Sequence, residues 1–130
     1  MDKIVFSLPV PSTGLASPEF EKRLGRKCAL QYAYEGDHST GLVKEVLEFD
    51  GVEAFKATYY TANSSEVLDA SDKVLELGSS LWLNEIKTNL RNANSSVDGL
   101  KHYRIYFDDG PCYEFIARTL AVLKEEVPTT

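Results

Sequence analysis

The side chains with the most chemistry to offer lie in the last third of the chain: His102, Arg104, Cys112 and Glu114. Cys112 with His102 is the one thiol–imidazole pairing in which a base would activate a nucleophile. Both fall on the arms of a predicted hairpin, built from His102 to Phe107, the turn Asp108-Asp109-Gly110-Pro111, and the apolar run from Cys112. With that segment as the loop, paired residue numbers sum to 219 and His102 opposes Ala117, not Cys112. The imidazole then stands several residues along the ladder from the thiol, out of hydrogen-bond reach. A packed cysteine is expected, not a nucleophile.

Glu114 lies between Tyr113 and Phe115 and under strict alternation shares a face with Cys112 and Ile116. It is therefore a candidate for a partly buried carboxylate paired with Arg104 or Arg118. In the register above it opposes Ile105, with Arg104 one residue off. His102, Arg104 and Glu114 form the candidate pocket of a small-molecule-binding domain or enzyme.

Metal and phosphate chemistry find little support. His38 and His102 belong to separate segments, and no C-x-x-C spacing occurs. Asp108, Asp109 and Glu114 offer oxygen ligands to a hard cation, but Asp-Asp-Gly-Pro is first of all good turn chemistry. None of the 8 glycines falls in a G-x-G-x-x-G or P-loop pattern. No metal and no cofactor is expected.

Charge gives a different candidate. Residues 35 to 76 hold ten carboxylates against Lys44, Lys56 and Lys73, a balance of −7, so the rest of the chain sums to +1 against the total of −6. Such a patch steers a basic partner by a salt-dependent field. Glu48, Asp50 and Glu53, with the nearby Tyr59 and Tyr60, are the candidate binding residues, tyrosine combining contact area with a hydroxyl handle. Lys22, Arg23, Arg26 and Lys27 form a small basic cluster, too few charges to argue for nucleic acid.

The elements that position these residues follow from pattern. Lys3 to Val10 reads as a strand. Ser17-Pro18 reads as a helix start, with Phe20 and Leu24 on one face up to Gly25. Lys27 to Tyr34 alternates, placing Cys28, Leu30, Tyr32 and Tyr34 on one side. Asp50-Gly51, flanked by Leu42 to Phe49 and Val52 to Tyr60, predicts a type I′ hairpin. Its paired numbers sum to 101, so Glu45 meets Lys56, and Glu48 meets Glu53 at an end expected to protrude into water. The segment 65–77 fits helix or strand. Trp82, Leu83, Ile86 and Leu90 make a helical stripe over Leu81 to Arg91, capped by Ser79 or Ser80. From Lys124 a polar tail is expected.

These elements predict one α+β domain over residues 1–130: an antiparallel sheet built from hairpins and covered by two or three short helices. With 43% hydrophobic residues the chain builds a core without staples, and no apolar run reaches the ~20 residues of a membrane helix. Two distant cysteines fit reduced thiols in a cytoplasm. The functional expectation is a non-enzymatic protein-binding module, immunity- or inhibitor-like, using its acidic, Tyr-bearing surface against a basic protein. No nucleic acid and no membrane partner is expected, and self-association through an uncovered strand edge stays open.

Overall fold

The computed structural model describes residues 2–9, 16–35, 41–59, 70–107 and 111–128. Its elements are β1 (Lys3–Ser7), β2 (Ala16–Arg23), β3 (Lys27–Glu35), β4 (Gly41–Asp50), β5 (Ala54–Thr58), β6 (Lys73–Glu76), α1 (Leu81–Asn92), β7 (Lys101–Tyr106), β8 (Cys112–Ala117) and β9 (Thr119–Pro128). Two antiparallel sheets result, in the orders β1-β6-β7-β8-β5 and β2-β3-β4-β9. The molecule is therefore mostly β, with one short helix among the described residues, and the expected α+β sheet under two or three helices is overturned.

The sheets pack face to face. Cys28, Leu30, Tyr32, Leu47 and Phe49 from one sheet meet Val74, Tyr103, Ile105, Phe107 and Phe115 from the other. Phe49 stacks on Phe115 with centroids 4.1 Å apart, and Tyr32 meets the edge of Phe107 at 6.2 Å. Burying one face of each sheet against the other removes the apolar stripe that would otherwise need helices to cover it.

Two sequence expectations fail for identifiable reasons. The segment around Phe20 is strand β2, not a helix, because tertiary contacts outweigh the local caps. Phe20 reaches across the sandwich to Phe55, Tyr113 and Phe115 at 5.2, 5.8 and 6.2 Å. Pro18 is tolerated because β2 is an edge strand and its pairing with β3 slips between Ala16 and Glu19.

The Asp50-Gly51 turn is not a hairpin. Strand β4 pairs with β3 and β9, while β5 pairs with β8. Chain 50–54 instead carries the strand from one sheet into the other, and β8 to β9 makes the same crossing beside it. The β4–β9 pairing, down to Asp50 with Thr119, continues as the β5–β8 pairing from Ala54 with Ile116. One ribbon of two paired strands thus bends around a corner, with one extra residue on the outer path in the manner of a bulge. Backbone bonds tie the corner: Arg118 N–H donates to Asp50 O at 2.9 Å, and Glu53 N–H to Ile116 O at 2.8 Å. Gly51 has φ +65°, and a Cβ there would stand 2.9 Å from Cδ of Arg118. Two acidic side chains expected to oppose each other, Glu48 and Glu53, consequently do not: Glu48 pairs with Ala29 and Ala121, and Glu53 lies in the corner itself.

Other elements match the sequence pattern more closely. The buried face of β3 is the expected one, α1 begins after an Ser80 N-cap, and the ambiguous segment is a strand at Lys73–Glu76. Residues 65–69 lie outside the described residues. The segment from Lys124, read as a tail, continues β9 to Pro128 and pairs with Gly41–Glu45.

Candidate functional site

The β7–β8 hairpin forms, but paired numbers sum to 218, as in His102 with Ile116 and Arg104 with Glu114. A one-residue difference exchanges the faces of a strand. Here it brings His102, Arg104 and Glu114 onto one face, the side of the sheet turned away from the sandwich core. Arg104 now sits directly opposite Glu114, and His102 diagonally beside it. Cys112 pairs with Tyr106, still four residues along the chain from the level of His102; its thiol is buried.

The three residues form a dense polar network. Glu114 is fully buried and His102 nearly so. His102 Nε2 lies 2.8 Å from Glu114 Oε1. The same oxygen accepts from Arg104 Nε at 3.0 Å and lies 2.9 Å from its Nη2. From β5, the Lys56 ammonium stands 3.8 Å from Oε2 and 4.4 Å above the Trp82 ring. Burial alone would raise the Glu114 pKa, but the His102 hydrogen bond and the charges of Arg104 and Lys56 hold it down, to about 2. The carboxylate is ionised at neutral pH.

Ser80 completes the line, and the sequence reading assigned it only a capping role. Its Oγ accepts from Leu83 N–H at 3.0 Å and lies 2.6 Å from His102 Nδ1. Trp82 packs edge-on to the imidazole with centroids 5.2 Å apart. The missed signal was that a helix cap and a strand histidine converge when the helix lies over that strand; nothing local announces it. Among the described residues, no group of three His, Cys, Asp or Glu side chains is placed to hold a metal ion. Asp108, Asp109 and His38 lie outside the described residues.

A second buried carboxylate sits on the core face of the other sheet. Glu45 accepts from the Tyr32 hydroxyl and faces the Lys124 ammonium at 3.5 Å, its Oε2 making no hydrogen bond. Burial, then the hydrogen bond to Glu45, pushes the Tyr32 phenol far above its ordinary range.

The acids of the candidate surface are each paired with a cation. Glu48 lies 2.9 Å from Arg23 and 3.9 Å from Lys27. Asp50 lies 4.0 Å from Lys27 and its Oδ1 accepts from Gly51 N–H. Glu53 lies between Arg26 at 2.9 Å and Arg118 at 2.8 Å. The basic cluster of the β2–β3 turn therefore neutralises the acids of the corner. Tyr59 is 78% exposed and Tyr60 lies outside the described residues.

That same turn borders an open cavity of about 510 Å³, between the β2–β3 turn and strand β5. Lys22, Arg23, Arg26 and Lys27 line it with a single carboxylate, Glu53, and its apolar wall includes Val52 and Phe55. Leu24 at the turn is 96% exposed and Phe55 45%. Strand β5 ends its sheet, and among the described residues no strand pairs with its outer edge.

Compared with protein-family models, curated proteins and solved structures, the chain matches none. Its function rests on these geometries alone. No helix among the described residues is long and apolar enough to cross a membrane.

Proposed function

We propose that the protein is a protein-binding module that takes up an extended, acidic segment of its partner along the outer edge of β5, which pairs with no strand among the described residues. The carrying observation is the cavity at the start of β5, where an exposed leucine and a half-exposed phenylalanine lie among one carboxylate and four cations, three of them ion-paired. Such an edge offers backbone groups to a sixth strand, and the neighbouring pocket takes one of its side chains. The partner's charge follows from the pairing described above. Arg23, Arg26 and Lys27 already face Glu48, Asp50 and Glu53, so the preference for an acidic segment rests on Lys22 and on partner carboxylates sharing those three cations; on this reading an acidic segment stands in place of the basic partner expected from the sequence. Apolar anchors next to charges of one sign give affinity and register together.

The test is selection of phage-displayed random peptides against the whole protein, with affinities measured by fluorescence anisotropy. Enriched peptides should carry an aromatic or aliphatic residue among Asp and Glu, and bind more weakly as salt rises. Leu24→Asp and Phe55→Asp should each weaken them about 30-fold or more. Leu24 projects from a turn into water, so its replacement leaves the core intact. No enrichment over an unrelated protein, or equal binding by both variants, overturns the reading.

A further inference from the structure

We propose that Ser80 is a reactive serine, activated by His102 and Glu114 for attack on an acyl or phosphoryl centre. The line Ser80 Oγ, His102 Nδ1, His102 Nε2, Glu114 Oε1 is unbroken, with heavy-atom distances of 2.6 Å and 2.8 Å at its two hydrogen bonds. The roles follow from protonation. Glu114 is ionised and accepts only, so His102 Nε2 carries a proton and donates it to the carboxylate. In the neutral imidazole, Nδ1 then holds a lone pair facing the serine hydroxyl. Nucleophile, base and orienting carboxylate thus stand in the relation that defines a serine triad by geometry and not by sequence position, with the two ring nitrogens exchanged.

The surroundings serve that chemistry. Arg104 and Lys56 fix the carboxylate and keep it charged, and Trp82 against the imidazole fixes the ring plane. His102 and Glu114 are sheltered from water, while Ser80 is only partly covered. Ser80 is the N-cap of α1, with Asn84 N–H bonded to its carbonyl and Leu83 N–H to its hydroxyl. The amides of Leu81 and Trp82 point out of the same helix end, as first-turn amides do, and the positive end of the helix dipole favours negative charge there. An oxyanion formed at carbon or phosphorus next to Oγ would meet those donors.

The step balances without a co-reactant other than water. With an ester, Oγ bonds to the carbonyl carbon as its proton passes to Nδ1. The ester C–O bond breaks, and the departing alkoxide takes that proton. Water then attacks the acyl-serine, gives its proton to Nδ1, and restores the serine hydroxyl as the carboxylic acid leaves. The ligand class is a small activated acyl ester. This inference is independent of the peptide-binding reading, because it concerns the outer face of the sheet under α1.

The probe is a fluorophosphonate, whose P–F bond breaks as the Oγ–P bond forms and fluoride leaves. The folded full-length protein is incubated with it, followed by intact mass and peptide mapping. A single adduct on Ser80 is expected. His102→Gln should slow labelling 100-fold or more, the scale of a lost general base. Ser80→Asn, which keeps an N-cap, should abolish it, and Ser79→Ala should leave it unchanged. Trp82 fluorescence and circular dichroism confirm that each variant is folded. Labelling no faster than in urea-unfolded protein, or equal labelling of the His102→Gln variant when folded, overturns the proposal.

Discussion

Replacing Glu114 by glutamine tests the energetics of the network under α1. The substitution keeps the shape of the side chain and removes its charge. It leaves Arg104 and Lys56 around a neutral amide, and turns an NH2 donor toward one of the donors that the carboxylate satisfied. The magnitude follows from the titration of Glu114. The drop from the ordinary 4.5 to about 2 in the folded protein corresponds to about 3 kcal/mol favouring the folded state. Breaking a buried ion pair by removing one partner costs a similar 3–5 kcal/mol. Lys56 is half exposed and adds little of this, so the His102 and Arg104 contacts carry most of the effect. At pH 7 Glu114→Gln should therefore lose about 3 kcal/mol of unfolding free energy. With an m-value of about 1.5 kcal/mol/M, the urea midpoint falls by ~2 M. Trp82, the 1 tryptophan of the chain, sits inside the network and reports the transition by fluorescence. The sign with pH is fixed. A depressed carboxylate pKa stabilises the fold above 4.5, and that contribution fades as pH falls toward 2. The gap between wild type and variant should close over the same window. A loss under 1 kcal/mol at pH 7, or a gap that persists unchanged to pH 2.5, would refute the argument.

Two further outcomes follow from the fold. Gly51→Ala should cost about 2 kcal/mol or more, since positive φ strains any Cβ and Arg118 already fills the space; Gly25→Ala, also at positive φ but with open space around it, should cost about half as much, and urea unfolding of both ranks them. Deleting residues 124–130 should destabilise the protein and promote aggregation, because it strips five paired residues from β4 and exposes that edge; light scattering and thermal melting check this, and a deletion with unchanged melting would show the segment to be a tail after all.

What was legible in the sequence was whatever local periodicity decides. The alternation in β3 marked its buried face, and the Trp82–Leu90 stripe marked the helix, with its cap narrowed to Ser79 or Ser80, of which Ser80 serves. What stayed hidden was set by partners distant in the chain. Phe20 and Leu24, four apart, suit a helix face, and only the reach of Phe20 to the far sheet makes β2 a strand. Asp-Gly suits a hairpin and a sheet corner equally, as both need positive φ. The Glu48–Glu53 opposition demanded by the hairpin register was the one internal sign against it. For the candidate site, the residues His102, Arg104 and Glu114 were visible, but their meeting depended on a single residue of register, which alternation alone does not fix.

The bent ribbon has a consequence for how the molecule comes apart. Strands that cross from one sheet to the other while remaining paired leave no seam along which the sandwich could open one layer at a time. Opening either layer means releasing the corner bonds at Asp50, Glu53 and Arg118, and those bonds belong to both. The two layers therefore behave as one cooperative unit, and the corner amides are expected to exchange hydrogen only when the whole fold opens. A ligand strand stiffening β5 would in this way be felt in β9, on the far layer, without any hinge to carry the message.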